Sequence, residues 1–127
     1  YNWYAVNDPR GLAPLGWHVP TDLEWTQLTN YLGGSSVAGG KLKSTSTYWN
    51  FPNVGASNSS KFSAEPAGDR YPIGGSFVNI NYHACFWTST RYGNTAAMRG
   101  LMNDYQSIYE NTGGQYSAGY SVRLLKN

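Results

Sequence analysis

Gly16-Trp17-His18-Val19-Pro20-Thr21-Asp22-Leu23-Glu24-Trp25 is the stretch that decides how this 127-residue chain is read. Thr21 and Glu24 have the spacing of a capping box, in which the hydroxyl accepts the Glu24 amide and the carboxylate reaches back to the Thr21 amide. Pro20 stands ahead of the box, and Gly33-Gly34 supplies the left-handed residue that closes a helix. We predict a helix over residues 22–32. Leu23, Leu28, Tyr31 and Leu32 form its apolar stripe, with Trp25 beside them and Val19 placed to staple onto Trp25.

Beyond this helix the signals weaken. Residues 35–43 read as a second helix or a single turn, because Gly39 and Gly40 each cost a helix about 1 kcal/mol. From Ser44 to Gly75, Ser, Thr, Asn, Gly and Pro surround isolated rings at Tyr48, Trp49, Phe51, Phe62 and Tyr71. A loop of this length is unusual inside a small domain and is commonly functional. Strands are expected at Cys85–Thr90, Ala96–Met102, Ser107–Tyr109 and Gly119–Leu125, with turns at Tyr92-Gly93-Asn94, Asn103-Asp104 and Thr112-Gly113-Gly114. One or two helices, a long irregular loop and a small antiparallel sheet make an α+β fold, with a single domain over residues 1–127.

Composition narrows the function classes. Aromatic residues are 16% of the chain and charged residues 13%, against roughly 25% charged in ordinary domains. That profile is opposite to a disordered chain and lacks the helix-forming bulk of a coiled coil. The net charge of +2 is scattered, and its densest patch is Lys41-Leu42-Lys43, so nucleic acid is not an expected partner. No stretch approaches the ~18 apolar residues of a membrane span. The chain opens on Tyr1-Asn2-Trp3-Tyr4 without a leader, and we expect a mature or excised piece of a larger chain. Cys85 is the single cysteine, so no disulfide closes within the chain.

Tyr1-Asn2-Trp3-Tyr4-Ala5-Val6, Gly11-Leu12-Ala13-Pro14, the capping-box stretch, Phe86-Trp87-Thr88-Ser89-Thr90 and Gly119-Tyr120-Ser121-Val122-Arg123 occur in that order. Together they resemble the Fibrobacter succinogenes major paralogous domain, a family of bacterial surface and secreted proteins. The resemblance implies a C-type lectin-like fold, in the branch that contains the formylglycine-generating enzyme, with the chain ends close together in one sheet. It also implies an extracellular or cell-surface location. Trp17, Trp25 and Trp87 are expected to anchor the core. Many relatives read Val-Arg-Cys at the end, where this chain has Val122-Arg123-Leu124; an apolar residue replaces a buried thiol there.

Neither catalysis nor a cofactor is expected. The copper and oxygen chemistry of the related enzymes needs a cysteine pair, and Cys85 reads as a packed structural thiol. His18 reads as a hydrogen-bonded structural residue and His83 as loop surface, while Asp22 and Glu24 serve the helix start. No metal site is expected: Glu65-Pro66-Ala67 and Met102-Asn103-Asp104 depart from the calcium motifs of sugar-binding lectins, and Thr88 and Ser89 are poor partners for a hard cation.

Binding is the function the residues favour. Tyr92, Asn94, Arg99, Asn103, Tyr105, Tyr109 and Tyr116 lie in a 90–118 segment rich in rings and amides, which offers stacking faces and adaptable hydrogen bonds. Tyr48, Trp49 and Asn50 are second candidates, Trp49 also reading as a loop anchor. The expected partner is a glycan or a protein of a host or neighbouring cell. Two other readings share the fold: a receptor-binding protein diversified by a retroelement, whose variable residues cluster near the C-terminus, and a structural domain of a surface appendage.

Overall fold

A three-stranded antiparallel sheet divides the molecule, and its pleat sorts the core into two clusters. The computed structural model describes residues 1–127. In chain order its elements are α1 (Trp3–Val6), β1 (Trp17–His18), α2 (Asp22–Tyr31), α3 (Ser35–Leu42), β2 (Asp69–Arg70), β3 (Phe77–Val78), β4 (His83–Tyr92), β5 (Thr95–Met102), β6 (Ile108–Gln115) and β7 (Leu125–Lys126). The central sheet runs β4-β5-β6, flanked by the two-stranded ladders β1-β7 and β2-β3. This is a small α+β domain with few helices and small antiparallel sheets.

Successive strand residues point to opposite faces. Ala84, Phe86, Leu101 and Ile108 therefore meet Trp25, Leu32, Ala38, Leu42 and Trp49 from α2, α3 and the long loop. Cys85, Trp87, Ala96 and Met98 pack on the other face with Trp3, Val6, Val19 and Ala118. Trp17 is not a core anchor: it is 43% exposed on the short strand β1, and Trp3, at 2%, takes that role.

The capping box forms with both bonds, Glu24 N–H to Thr21 Oγ1 at 3.2 Å and Thr21 N–H to Glu24 Oε2 at 2.8 Å. The buried stripe of α2 nevertheless differs from the expected one. Trp25, Thr29 and Leu32 are buried with Leu28 packed beside them, while Leu23 and Tyr31 face solvent. Val19 belongs to the other cluster, so the expected staple onto Trp25 does not form. Trp25, being larger than Leu23, sets the rotation of the helix over the sheet.

The second helix forms in full, and its glycines explain why. A Cβ on Gly39 would lie 2.2 Å from the Ser107 carbonyl oxygen, and one on Gly40 would lie 2.3 Å from that of Gly55. Gly40 N–H donates to Gln106 O at 2.8 Å, and Gly40 O accepts from Ser57 N–H at 2.9 Å. The glycines let α3 lie backbone to backbone against two loops.

Two expectations for the C-terminal half are corrected. Thr112-Gly113-Gly114 is no turn but part of β6, where a Cβ on Gly114 would lie 2.6 Å from the Trp87 ring. Residues 119–125 are no continuous strand. They run as single bridges, Gly119 to Arg70 and Ser121 to Phe86, before β7 pairs with β1. The N-terminal amine donates to Tyr120 O at 2.9 Å and Tyr120 N–H returns to Tyr1 O at 2.9 Å, so the two ends of the described chain are tied together. No helix is long and apolar enough to cross a membrane.

Candidate functional site

The residues expected to form one 90–118 face are divided by the sheet. Tyr92 and Asn94 lie at the β4–β5 hairpin, and the Tyr116 hydroxyl donates to Gly93 O there at 3.0 Å. Asn103 and Tyr105 lie at the opposite end, across eight residues of β5, about 26 Å of extended chain. Arg99 faces inward at 2% exposure; its Nη2 donates to Asp22 Oδ1 at 2.6 Å and Thr26 Oγ1 at 2.9 Å, and its Nη1 to Glu110. Tyr109 is half-buried with its ring across Gly100 and its hydroxyl 3.4 Å from Cys85 Sγ. Tyr116 stacks on Trp3 with centroids 4.5 Å apart. Arg99, Tyr109 and Tyr116 therefore serve packing. Of the residues expected to bind, Tyr92, Asn94 and Tyr105 remain exposed, and the Tyr92 hydroxyl already meets Asp22 Oδ2 at 3.3 Å.

Loops that carry a different set of rings meet at the Tyr105 end. Asn103 is buried and donates its amide to the carbonyls of Asn50 and Phe51, at 3.4 and 3.2 Å. Its backbone N–H reaches Tyr82 O at 3.0 Å, its carbonyl accepts from Val54 at 2.7 Å, and Asn50 N–H donates to Asn81 O at 2.9 Å. Lys43 completes the clamp from below. It is fully buried, and its ammonium donates to the carbonyls of Val54, Met102 and Tyr105 at 2.9, 2.9 and 2.8 Å, one for each N–H. Burial pushes its pKa down to about 8, the nearby Asp104 charge acting against that shift.

Three loops are thus sewn together by two buried polar side chains, while their own rings stay outside. Phe51 is 93% exposed, Tyr48 67%, Tyr105 57% and Tyr82 50%. Trp49, next to Tyr48, points inward and donates its indole N–H to Ala64 O at 3.0 Å, as a loop anchor does. Sequence reasoning missed Phe51, Tyr82 and the clamp residue Lys43. Lys43 gives no local sign of burial, since it follows Leu42 in the chain's most basic patch.

The family model of the Fibrobacter succinogenes major domain matches residues 1–126. The chain belongs to that family. No curated protein and no solved structure matches it.

This Fibrobacter succinogenes major domain also has a cleft of about 660 Å³, between the joined chain ends and the β2-β3 ladder. Tyr1, Asn2, Asp69, Arg70, Phe77 and Tyr120 line it. Burial pushes the Tyr120 hydroxyl up to about 12 and the Cys85 thiol up to about 11, so both carry their protons at neutral pH. His83 is not loop surface: it is the half-buried first residue of β4. His18 holds Asn127 Oδ1 at 2.6 Å and Glu24 Oε1 at 2.9 Å, which ties β1 to the start of α2.

Proposed function

We propose that this domain is a non-catalytic ligand-binding module of a bacterial surface or secreted protein, and that it takes glycans on the ring surface of its loop end. The observation that carries this reading is the combination at that surface: Tyr48, Phe51, Tyr82 and Tyr105 are exposed, while Lys43 and Asn103 hold the backbones beneath three of them. Rings on a held backbone lose little freedom when a ligand arrives, so more of the contact energy becomes affinity. Covering ~50 Å² of one ring contributes about 1 kcal/mol. Several rings with amide hydrogen bonds reach roughly millimolar to micromolar affinity, the range of a weak grip repeated over many copies. The low charge of the chain favours neutral sugars over a charged partner.

The C-type lectin-like description of the fold belongs to the same proposal. Two helices on one sheet face, tied ends and a long irregular loop packed over that face support it.

A glycan array followed by titration calorimetry tests the reading, with a pull-down from neighbouring cells as a second arm. Phe51→Ala and Tyr105→Ala should each weaken glycan binding by about fivefold and leave the melting temperature unchanged. Binding that survives loss of both rings places the ligand elsewhere and ends the proposal. A protein captured through the same rings, with no glycan bound, overturns the sugar assignment.

A further inference from the structure

His83 and Cys85 are two apart on β4, so their side chains leave the same face of the strand. The long loop then delivers a carboxylate to them. Gly68 N–H bonds to His83 O at 2.9 Å and Gly68 bridges Ala84, which sets Asp69 against the start of β4. The donor atoms of Asp69, His83 and Cys85 lie within 4.8 Å of one another. Asn79 organises the group from behind: its side-chain amide donates to Asp69 Oδ1 at 2.7 Å, and its carbonyl accepts from His83 N–H at 3.0 Å. It does so from a left-handed backbone, φ 57°, a conformation that asparagine tolerates better than most residues. The Tyr109 hydroxyl reaches Cys85 Sγ at 3.4 Å, a bond suited to supporting a thiolate. The Asp69 side of the group opens on the 660 Å³ cleft.

We infer that Asp69, His83 and Cys85 form a binding site for zinc, with Asn79 and Tyr109 as the hydrogen-bonding shell that orients Asp69 and Cys85. One thiolate, one imidazole and one carboxylate make a donor set for a borderline-soft divalent ion rather than for calcium or magnesium, which take oxygen ligands. Zinc draws such donors to about 2.0–2.3 Å from the metal, so they stand roughly 3.3–3.8 Å apart. The present spacing closes to that by side-chain rotation of about 1 Å. On binding, the Cys85 S–H bond breaks, the S–Zn bond forms and the proton leaves to solvent; no electron changes hands. The bound ion would pin β2 to β4 and stiffen one wall of the cleft. The single cysteine is joined by His83 from its own strand and by Asp69 from the separate strand β2.

The test uses the folded domain stripped with a chelator, titrated with Zn²⁺ against a chromophoric competitor and, separately, with Co²⁺ as a spectroscopic probe. One ion per chain is expected, with a sulfur-to-cobalt charge-transfer band in the near ultraviolet and a rise in melting temperature with added zinc. Cys85→Ser should remove that band. His83→Gln, at a half-buried position, should weaken zinc binding by well over tenfold, and Asn79→Ala by about tenfold. The wild-type titration is decisive even where a variant folds poorly. Zinc binding no tighter than millimolar overturns the site, as does a cobalt spectrum without the sulfur band, or affinity that His83→Gln leaves unchanged.

Discussion

A buried ammonium and a buried amide, Lys43 and Asn103, hold the loop end of this domain together. Lys43 gives its three protons to the carbonyls of Val54, in the long loop, and of Met102 and Tyr105, on either side of the turn after β5. Lys43→Met keeps most of the apolar stem but leaves three half-buried carbonyls without their donor. Unfolding in urea should show a loss of about 3 kcal/mol or more. The glycan affinity of the ring surface should fall with it, because the rings lose their support. His18 contributes a pH dependence of its own. Its bonds to Asn127 and Glu24 raise its pKa above 6.5, so the folded chain holds the proton more tightly than the unfolded one. The stabilisation is complete below about pH 6.5 and is lost as pH rises through the raised folded value. Urea midpoints of wild type and His18→Gln should therefore differ most in mild acid and converge at alkaline pH; a gap that widens with pH would contradict this. NMR titration of the imidazole reads the raised pKa directly.

Helix α3 shows how an element can contradict its own propensities. Ala in place of Gly39 would strengthen an isolated helix by about 1 kcal/mol. Here the added methyl would meet the Ser107 carbonyl at 2.2 Å. Gly39→Ala should destabilise the domain by about 2 kcal/mol, the cost of overpacking outweighing the gain in propensity, with thermal melts as the readout. The capping box of α2 was legible because both partners lie within one turn of helix. Its buried face was not, because Trp25 meets Phe62 and Phe86, with centroids 5.6 Å away in each case, and neither is near it in sequence. Arg99 extends the point across elements. Its charge reads as a surface contact, yet Asp22 at the start of α2 and Glu110 on β6 claim it.

Across the whole molecule, local spacing settled the α+β class, the position of α2, the existence of the long loop, the strands from Cys85 to Met102 and, through the resemblance of its motifs, the family. Those signals depend on neighbours within a helical turn or a strand pleat, which any chain of this sequence carries before it folds. The tertiary structure alone decided which rings face water. Tyr109 and Tyr116 turn inward, whereas Phe51 and Tyr82 stay outside, and no period in the sequence separates the two pairs. Folding also brings Asp69 to His83 and Cys85, and Lys43 to three distant carbonyls. Exposure and encounter are set by which surfaces pack from far along the chain, and a residue's immediate neighbours carry no record of that.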